Sequence, residues 1–348
     1  MIPSKISSMS HWKTILAYDG TPFNGWQVQP GLPTVQGTLA SAIHHITGET
    51  VLPQGSGRTD TGVHALGQVA TFTLTVPIPA ANLHRALNRA LPSSIRVLSV
   101  EAVPPEFHAR HSARRKTYEY RILPCGKTGG IICSPMLAPF VWACRLDLDL
   151  NALQQSAAHI LGTHDFTSFA AVDPDLNTRN NESNAGNESN QSTGADAFDA
   201  EYFANLDTEI VTEAESEAQA ERPTANHPPQ PTQPPIISTQ AAPLPASSEP
   251  EKSASLPPSS PNSTTAPTGA IRTIHDSAWR QQDDLFLYRV TGSGFLHHMV
   301  RNLVGTFVQA AAGRISPDAI LTILAARNRS AAGPTAPARG LFLVEVAY

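Results

Sequence analysis

The pattern of apolar and polar residues in the first third of the chain predicts helices and strands in alternation. Apolar residues recur at helical spacing after Thr34, which can cap a helix N-terminus, and again from Leu83 to Ala90. Strict alternation from Gln68 to Leu74 predicts a half-buried strand. Two further strands are predicted at residues 13–19 and 95–103.

The remainder of the chain continues with mixed signals. Alternation from Arg115 to Ile122 predicts a strand with Tyr118 and Tyr120 on one face. A third helix is predicted over residues 150–161 and is expected to end at Gly162. The later predictions are a hairpin at 271–280 and 285–290, a helix at 299–308, a helix opened by Ser316-Pro317-Asp318 and a strand at 341–348.

This order of elements predicts an α+β fold. Two similar α+β halves share a mixed or antiparallel sheet, with helices on its outer face. Residues 11–115 form the N-terminal half, and residues 116–171 with 269–348 form the C-terminal half. Residues 1–10 are expected to be a tail, and 172–268 an insertion.

The composition of residues 172–268 sets this segment apart. It is built from Asn, Ser, Glu, Ala, Thr and Pro, and it holds 14 of the 30 prolines. Such a segment buries too little apolar surface to offset its ordering entropy, so we expect a disordered acidic and proline-rich insertion. A transient helix is conceivable over residues 198–210.

Charge is divided unevenly along the chain. The formal net charge is −5, but residues 172–270 carry a net charge of −12 and the remainder carries +7. A moderately basic body is expected of a protein that binds a phosphate backbone, although charge alone fits an ordinary globular domain equally well. The three cysteines form no C-x-x-C pair, which indicates reduced thiols and a cytoplasmic location, and no membrane span or signal peptide is predicted.

Asp60 is the first candidate for chemistry. It lies in a stretch of glycines and hydroxyls between a predicted helix and a predicted strand, next to Arg58 and close to His64. An acid there can be a nucleophile, a base, or a turn residue that bonds its own backbone, and local spacing leaves these alternatives open. The histidines, including the adjacent pair His297 and His298, lack the spacing of a metal site.

Seven blocks of sequence decide between these alternatives. Taken together, they resemble the tRNA pseudouridine synthase A family, in family order and over nearly all of the chain outside the insertion. The blocks are Tyr18–Gln29 (YDGTPFNGWQVQ), Thr34–Gly37 (TVQG), Gly57–Ala65 (GRTDTGVHA), Phe107–Arg110 with Lys116–Tyr120 (FHAR, KTYEY), His164–Phe169 (HDFTSF), Gly294–Gly305 (GFLHHMVRNLVG) and Ala332–Leu341 (AGPTAPARGL).

The resemblance implies the pseudouridine synthase fold and an isomerase that converts uridine to pseudouridine at positions 38, 39 and 40 of the tRNA anticodon stem-loop. It implies no cofactor and no metal, and a homodimer. Asp60 is the expected catalytic carboxylate and Arg301 its charge partner. Tyr118 is expected to stack on the target base with Leu341 on the other side of the ring, and Arg58 to reach toward the RNA or fill the space of the flipped base.

A run of basic residues is a further candidate for RNA contact. Arg110, Arg114, Arg115 and Lys116 could clamp the RNA backbone, or they could form an ordinary solvated face. Two other functions are alternatives to this enzyme: a catalytically inactive tRNA-binding or chaperone relative, and a metal-dependent nuclease that uses Asp60. The nuclease requires further carboxylates, for which no matching motif is present.

Overall fold

The alternating segments of the sequence pair into one sheet in the computed structural model, which describes residues 9–171 and 269–348. The strands are β1 Ser10–Tyr18, β2 Gln54–Gly55, β3 His64–Leu74, β4 Ile95–Ala102, β5 Arg115–Pro124, β6 Trp142–Cys144, β7 Gly162–Asp165, β8 Ile271–Gln282, β9 Leu285–Gly292 and β10 Leu341–Ala347. The α-helices are α1 Val35–Thr47, α2 Ala80–Ala90, α3 Leu150–Ala158, α4 Met299–Ala311 and α5 Ala319–Ala326.

The strand order places the C-terminal strand at the centre of the sheet. Among the described residues the order is β4-β1-β3-β10-β5-β9-β8-β7, with β2 added to β3 and β6 added to β5. β10 runs parallel to β3 and antiparallel to β5, so it joins the strands of the first 102 residues to those that follow. The predicted α+β class and mixed, mainly antiparallel sheet are confirmed.

Most of the predicted elements are confirmed, with small shifts of their ends. Thr34 caps α1 as expected, because its side chain accepts a hydrogen bond from the amide of Gly37. The predicted helix stop at Gly162 is wrong: α3 ends at Ala158, and Gly162, at a φ of 97°, instead opens β7. Helix α5 begins at Ala319, and Ser316 lies in the turn before it.

Some predictions concern residues outside the described part of the chain. The insertion at 172–268, its conceivable helix at 198–210 and most of the predicted tail at 1–10 are in this group. Ser10 is described, and it already pairs with Leu74 in the sheet.

The core is formed by the inner face of the sheet and the helices packed on it. Every second residue of β1 is buried, from Trp12 to Tyr18, as the alternating pattern requires. Helix α4 is buried along its whole length and packs on α3, so its N-terminal residues are held firmly within the core. Within the described ranges, no helix has the length and apolar character needed to cross a membrane.

Candidate active site

Asp60 lies on a tight turn just before β3. The amide of Val63 donates to the carbonyl of Asp60 at 3.1 Å, and Gly62 adopts a φ of 75° that glycine tolerates best. The turn also packs against the loop at Gly25, where a Cβ atom would lie 2.6 Å from the carbonyl oxygen of Thr59. Both glycines are therefore needed to present the Asp60 side chain in this position.

A buried polar network holds the backbone that leads to Asp60. The side-chain amide of Gln68 donates to the carbonyl of Gly57 at 2.9 Å and accepts from the hydroxyl of Ser56 at 2.7 Å. The hydroxyl groups of Tyr18 and Thr59 are 2.8 Å apart in the same network. Because Gln68 is fully buried on β3, this network ties the turn that carries Asp60 to the rigid sheet.

Arg301 provides the charge partner of Asp60. Its Nη1 donates to Oδ2 of Asp60 at 3.1 Å, and the two side chains are only 8% and 18% exposed. Its Nε donates to the carbonyl of Ala336 at 2.8 Å, and the amide of Ala336 donates back to the carbonyl of Arg301. The guanidinium is thus oriented by the segment before β10 as well as by Asp60.

Two histidines complete the surroundings of Asp60. Nε2 of His297 lies 3.5 Å from Oδ1, and Nε2 of His298 lies 3.3 Å from Oδ2. His298 precedes α4 at a φ of 57°, a backbone conformation that is uncommon for residues other than glycine. Because the pair immediately precedes α4 and Arg301 lies in the first turn of that helix, the same helix start delivers all three nitrogen-bearing side chains to the carboxylate.

Tyr118 lies on β5 and is buried, with 8% of the residue exposed. It packs edge-on against Phe295 with ring centroids 5.0 Å apart. Burial raises the pKa of the Tyr118 phenol, and the nearby Tyr18 and Asp60 raise it further, so the phenol stays protonated. Leu341 opens β10 directly opposite Tyr120, whose hydroxyl donates to the carbonyl of Pro337.

The candidate RNA-contacting residues fall into two groups. The first group is exposed and consists of Arg58, on the turn that carries Asp60, with Arg110, Arg114 and Arg115. Lys116 is instead half-buried, and its ammonium group donates to the carbonyl of Ser56 at 2.6 Å. Burial lowers the pKa of Lys116 to about 8, with smaller contributions from Arg110 and Arg272. Lys116 is therefore placed to support the segment that leads to Asp60 through the carbonyl of Ser56.

Comparison with known proteins assigns the chain to a family. The family model described as tRNA pseudouridine synthase matches residues 15–112 and 260–348. A tRNA pseudouridine synthase A of Solibacter usitatus is 36% identical over 98% of this chain and all of its own length. Proteins of the same name are 34% identical in Maridesulfovibrio salexigens, over 98% of this chain and 91% of the relative, and 36% identical in Nitratidesulfovibrio vulgaris, over 98% and 100%. The chain belongs to the tRNA pseudouridine synthase family.

The family resemblance expected from the seven sequence blocks is thus confirmed. The structure brings together, from distant parts of the chain, residues that the family blocks singled out: Asp60 on its turn, Tyr118 on β5 and Arg301 on α4. The stretch between the two matched ranges of the family model includes all but the last few residues of the acidic insertion.

The sequence pattern of this tRNA pseudouridine synthase gives no strong signal for several residues of the site. Gln68 is an ordinary polar residue in an alternating strand, and nothing local predicts its bonds to Ser56 and Gly57. His297 and His298 lack metal-ligand spacing, yet the fold places both against Asp60. The only available signal was their position four and three residues before Arg301 in the same sequence block.

Proposed function

We propose that the protein is a tRNA pseudouridine synthase that isomerises uridine in the anticodon stem-loop, with Asp60 as its essential carboxylate. The observation that carries the proposal is the partly buried pair of Asp60 and Arg301 beside the buried ring of Tyr118. Membership of the family supports the reaction, and the geometry supports these three residues as the ones that perform it.

The reaction breaks the bond between N1 of uracil and C1′ of the ribose and forms a bond between C5 and the same carbon. The proton at C5 is lost and N1 gains one, so atoms and electrons balance without an oxidant. Asp60 either attacks C1′ or removes the 2′ proton to give a glycal. Both routes use a lone pair of the carboxylate, which Arg301 orients through Oδ2.

A uridine must leave its stack to reach a carboxylate in this position. Flipping a base costs a few kcal/mol, on the order of the stabilisation that stacking on one aromatic ring returns. We assign this stacking role to Tyr118, whose protonated phenol makes it a neutral platform. We assign the other side of the ring to Leu341 on β10, two residues before Leu343, which pairs with Tyr118, and Arg58 lies exposed on the turn that carries Asp60.

We assign binding of the rest of the tRNA to electrostatic attraction of its phosphate backbone. Outside residues 172–270 the chain carries a net charge of +7, which favours binding of a phosphate backbone. We assign backbone contacts to the exposed Arg110, Arg114 and Arg115, with Lys116 supporting the turn behind them. Uridines 38, 39 and 40 are the proposed targets, and the proposed working form is a cytoplasmic homodimer.

The test uses unmodified tRNA transcripts and mapping of pseudouridine by carbodiimide treatment and primer extension, in buffer with excess EDTA. One transcript carries uridine at positions 38 to 40, and a matched control carries cytidine or adenosine there. We expect pseudouridine only in the first transcript and only at those positions. Product elsewhere would contradict the proposed position, tRNA binding without product would favour an inactive relative, and cleavage would favour a nuclease.

A further inference from the structure

Asp60, His297 and His298 present three metal-ligand atoms to one small volume. These atoms all lie within 4.8 Å of one another. Oδ1 of Asp60 is 3.5 Å from Nε2 of His297, and Oδ2 is 3.3 Å from Nε2 of His298. Both distances exceed those of good hydrogen bonds. A tetrahedral zinc ion with bonds of about 2.0 Å separates its ligand atoms by roughly 3.3 Å. Each histidine–oxygen distance is thus close to an edge of a zinc tetrahedron, with His297 facing Oδ1 and His298 facing Oδ2 of Asp60.

The fold anchors His298 and the backbone of His297, whose side chain is 31% exposed. His298 is 6% exposed at the start of the buried helix α4, and the carbonyl of His297 accepts a hydrogen bond from the amide of Ala171. The two imidazole rings have centroids 3.9 Å apart. Binding of a metal ion thus requires little ordering of these ligands.

We propose that these three residues bind a zinc ion that reversibly inhibits the enzyme. Two imidazoles and one carboxylate are a ligand set that zinc accepts, whereas magnesium prefers six oxygen ligands. Three protein ligands leave a fourth position open to water. The zinc is an exchangeable inhibitor in this proposal, and the isomerisation itself proceeds without it.

Inhibition follows from the chemistry that Asp60 performs. An ion held by both histidines draws on the lone pairs of the Asp60 carboxylate, whose Oδ1 faces His297 and whose Oδ2 faces His298 and accepts from Arg301. Nucleophilic attack and proton removal both use the carboxylate lone pairs, so either route is blocked. The positive charge of Arg301 opposes the dication, which keeps the binding weak enough for a chelator to reverse it.

The inference about activity depends on the proposed function, but binding of the metal does not. The first experiment therefore measures binding directly with cobalt(II), which replaces zinc and shows strong visible absorption in tetrahedral sites. We expect a tetrahedral spectrum for the wild-type protein that is reversed by zinc. The spectrum should be lost in His297→Ala and retained in His45→Ala, a control in another adjacent histidine pair on the exposed side of α1.

The second experiment measures pseudouridine formation at increasing concentrations of zinc chloride, with each variant normalised to its own metal-free rate. We expect inhibition that EDTA reverses and that the same concentration of magnesium does not cause. The half-inhibitory zinc concentration should rise by at least about tenfold in His297→Ala, because one ligand is lost. It should be unchanged in His45→Ala at the same tRNA concentration.

Two results would overturn the inference. One is a cobalt spectrum that is the same in the wild type and in His297→Ala, and the other is equal zinc sensitivity of these two proteins. If the protein forms no pseudouridine at all, the proposed function fails, while the cobalt spectra still decide whether the metal site exists.

Discussion

Asp60 and Arg301 form a partly buried ion pair in which neither group can move freely. The guanidinium uses Nη1 for Asp60 and Nε for the carbonyl of Ala336, so its planar fork serves two acceptors at once. An ammonium group is a point charge on a flexible stem and cannot reproduce this geometry. The identity of Arg301, and not only its charge, should therefore matter.

Replacement of Arg301 by lysine tests this directly. We expect Arg301→Lys to lower kcat by about 100-fold, comparable with the loss of one oriented donor in other active sites, with little change in KM for tRNA. The matched control is Arg280→Lys, which alters an exposed arginine paired with Glu119 at 3.6 Å. Steady-state kinetics of both variants give the comparison. A kcat for Arg301→Lys equal to that of the control would contradict the positioning role.

His64 shows how the same sequence block also serves the fold. Its Nδ1 accepts a hydrogen bond from the amide of Gly20 and its Nε2 donates to the carbonyl of Pro139, both at 3.0 Å. The buried ring stacks on Phe342 with centroids 4.7 Å apart. Because an amide only donates and a carbonyl only accepts, these partners select the neutral imidazole with its proton on Nε2.

This environment predicts a pH dependence of stability. Burial lowers the pKa of His64 below its ordinary value of about 6.5, although Asp19 opposes the change. Below about pH 6.5 the unfolded chain binds more protons at this residue than the folded one, so its contribution to stability is present above that pH and is lost as the pH falls. Urea unfolding at pH 7.5 and 5.5 should show a smaller difference in His64→Gln than in the wild type. An equal difference in both proteins would contradict this origin.

Strand β3 and the turn before it behave as one structural unit. Gln68 connects the strand to the carbonyl of Gly57 and the hydroxyl of Ser56, and Lys116 reaches the carbonyl of Ser56 from β5. These contacts fix the segment immediately before Asp60. Loss of the network should therefore affect catalysis as well as stability.

Gln68→Leu tests the coupling between strand and turn. Loss of the side-chain amide leaves the buried Gly57 carbonyl and Ser56 hydroxyl with fewer partners, which should lower the free energy of unfolding by about 1–3 kcal/mol. We also expect kcat to fall by at least about tenfold, because a small displacement of a reacting group is costly. Urea unfolding and kinetics measure the two effects.

The control for this prediction is Thr14→Val on β1. Thr14 is also fully buried, and its hydroxyl donates to the carbonyl of Ala70 on β3, which lies outside the turn that carries Asp60. Thr14→Val should lower the free energy of unfolding but leave kcat unchanged. If Gln68→Leu loses stability and keeps its kcat in the same way, the network is only structural.

Long, strongly patterned elements could be predicted from the sequence, and short ones could not. β3, α1 and α4 carry many residues with one period, so their existence follows from local preference. β2, β6 and β7 have two to four residues each and depend on pairing with neighbouring strands. The stop expected at Gly162 failed for the same reason, since pairing with β8 drew this glycine into a strand.

The candidate site was predictable only where a family block marked it. Asp60 and Arg301 are 241 residues apart, and no local pattern can bring them together. Asp60 considered alone fits a turn residue as well as a catalytic one. The contacts of His297, His298 and Gln68 arise from tertiary packing, so they became visible only in the folded structure.

At the scale of the whole molecule, the described segments that flank the acidic insertion meet at one edge of the sheet. β7 pairs with β8 through Asp165 and Ile271, and the amide of Phe166 donates to the carbonyl of Ala270 at 3.1 Å. The chain on either side of residues 172–268 is thus already held together. A short linker can replace the insertion without opening the fold.

Deletion of residues 172–268 with a short glycine-serine linker should leave the melting temperature and kcat nearly unchanged. Because residues 172–270 carry a net charge of −12, we expect tighter tRNA binding at low ionic strength, with the difference shrinking at high salt. Binding assays across a salt series measure this effect. Loss of folding, or a salt-independent change in affinity, would contradict the prediction.

The central claim is that the carboxylate of Asp60 performs the isomerisation. The most direct measurement is single-turnover formation of pseudouridine at position 39, with wild-type protein and Asp60→Asn each in excess over tRNA, together with the tRNA affinity of both. Asparagine keeps the size of the side chain but has no carboxylate lone pair for attack or proton removal. We predict that the rate falls by at least about 1,000-fold while tRNA binding persists. A variant that forms product within tenfold of the wild-type rate would contradict the account.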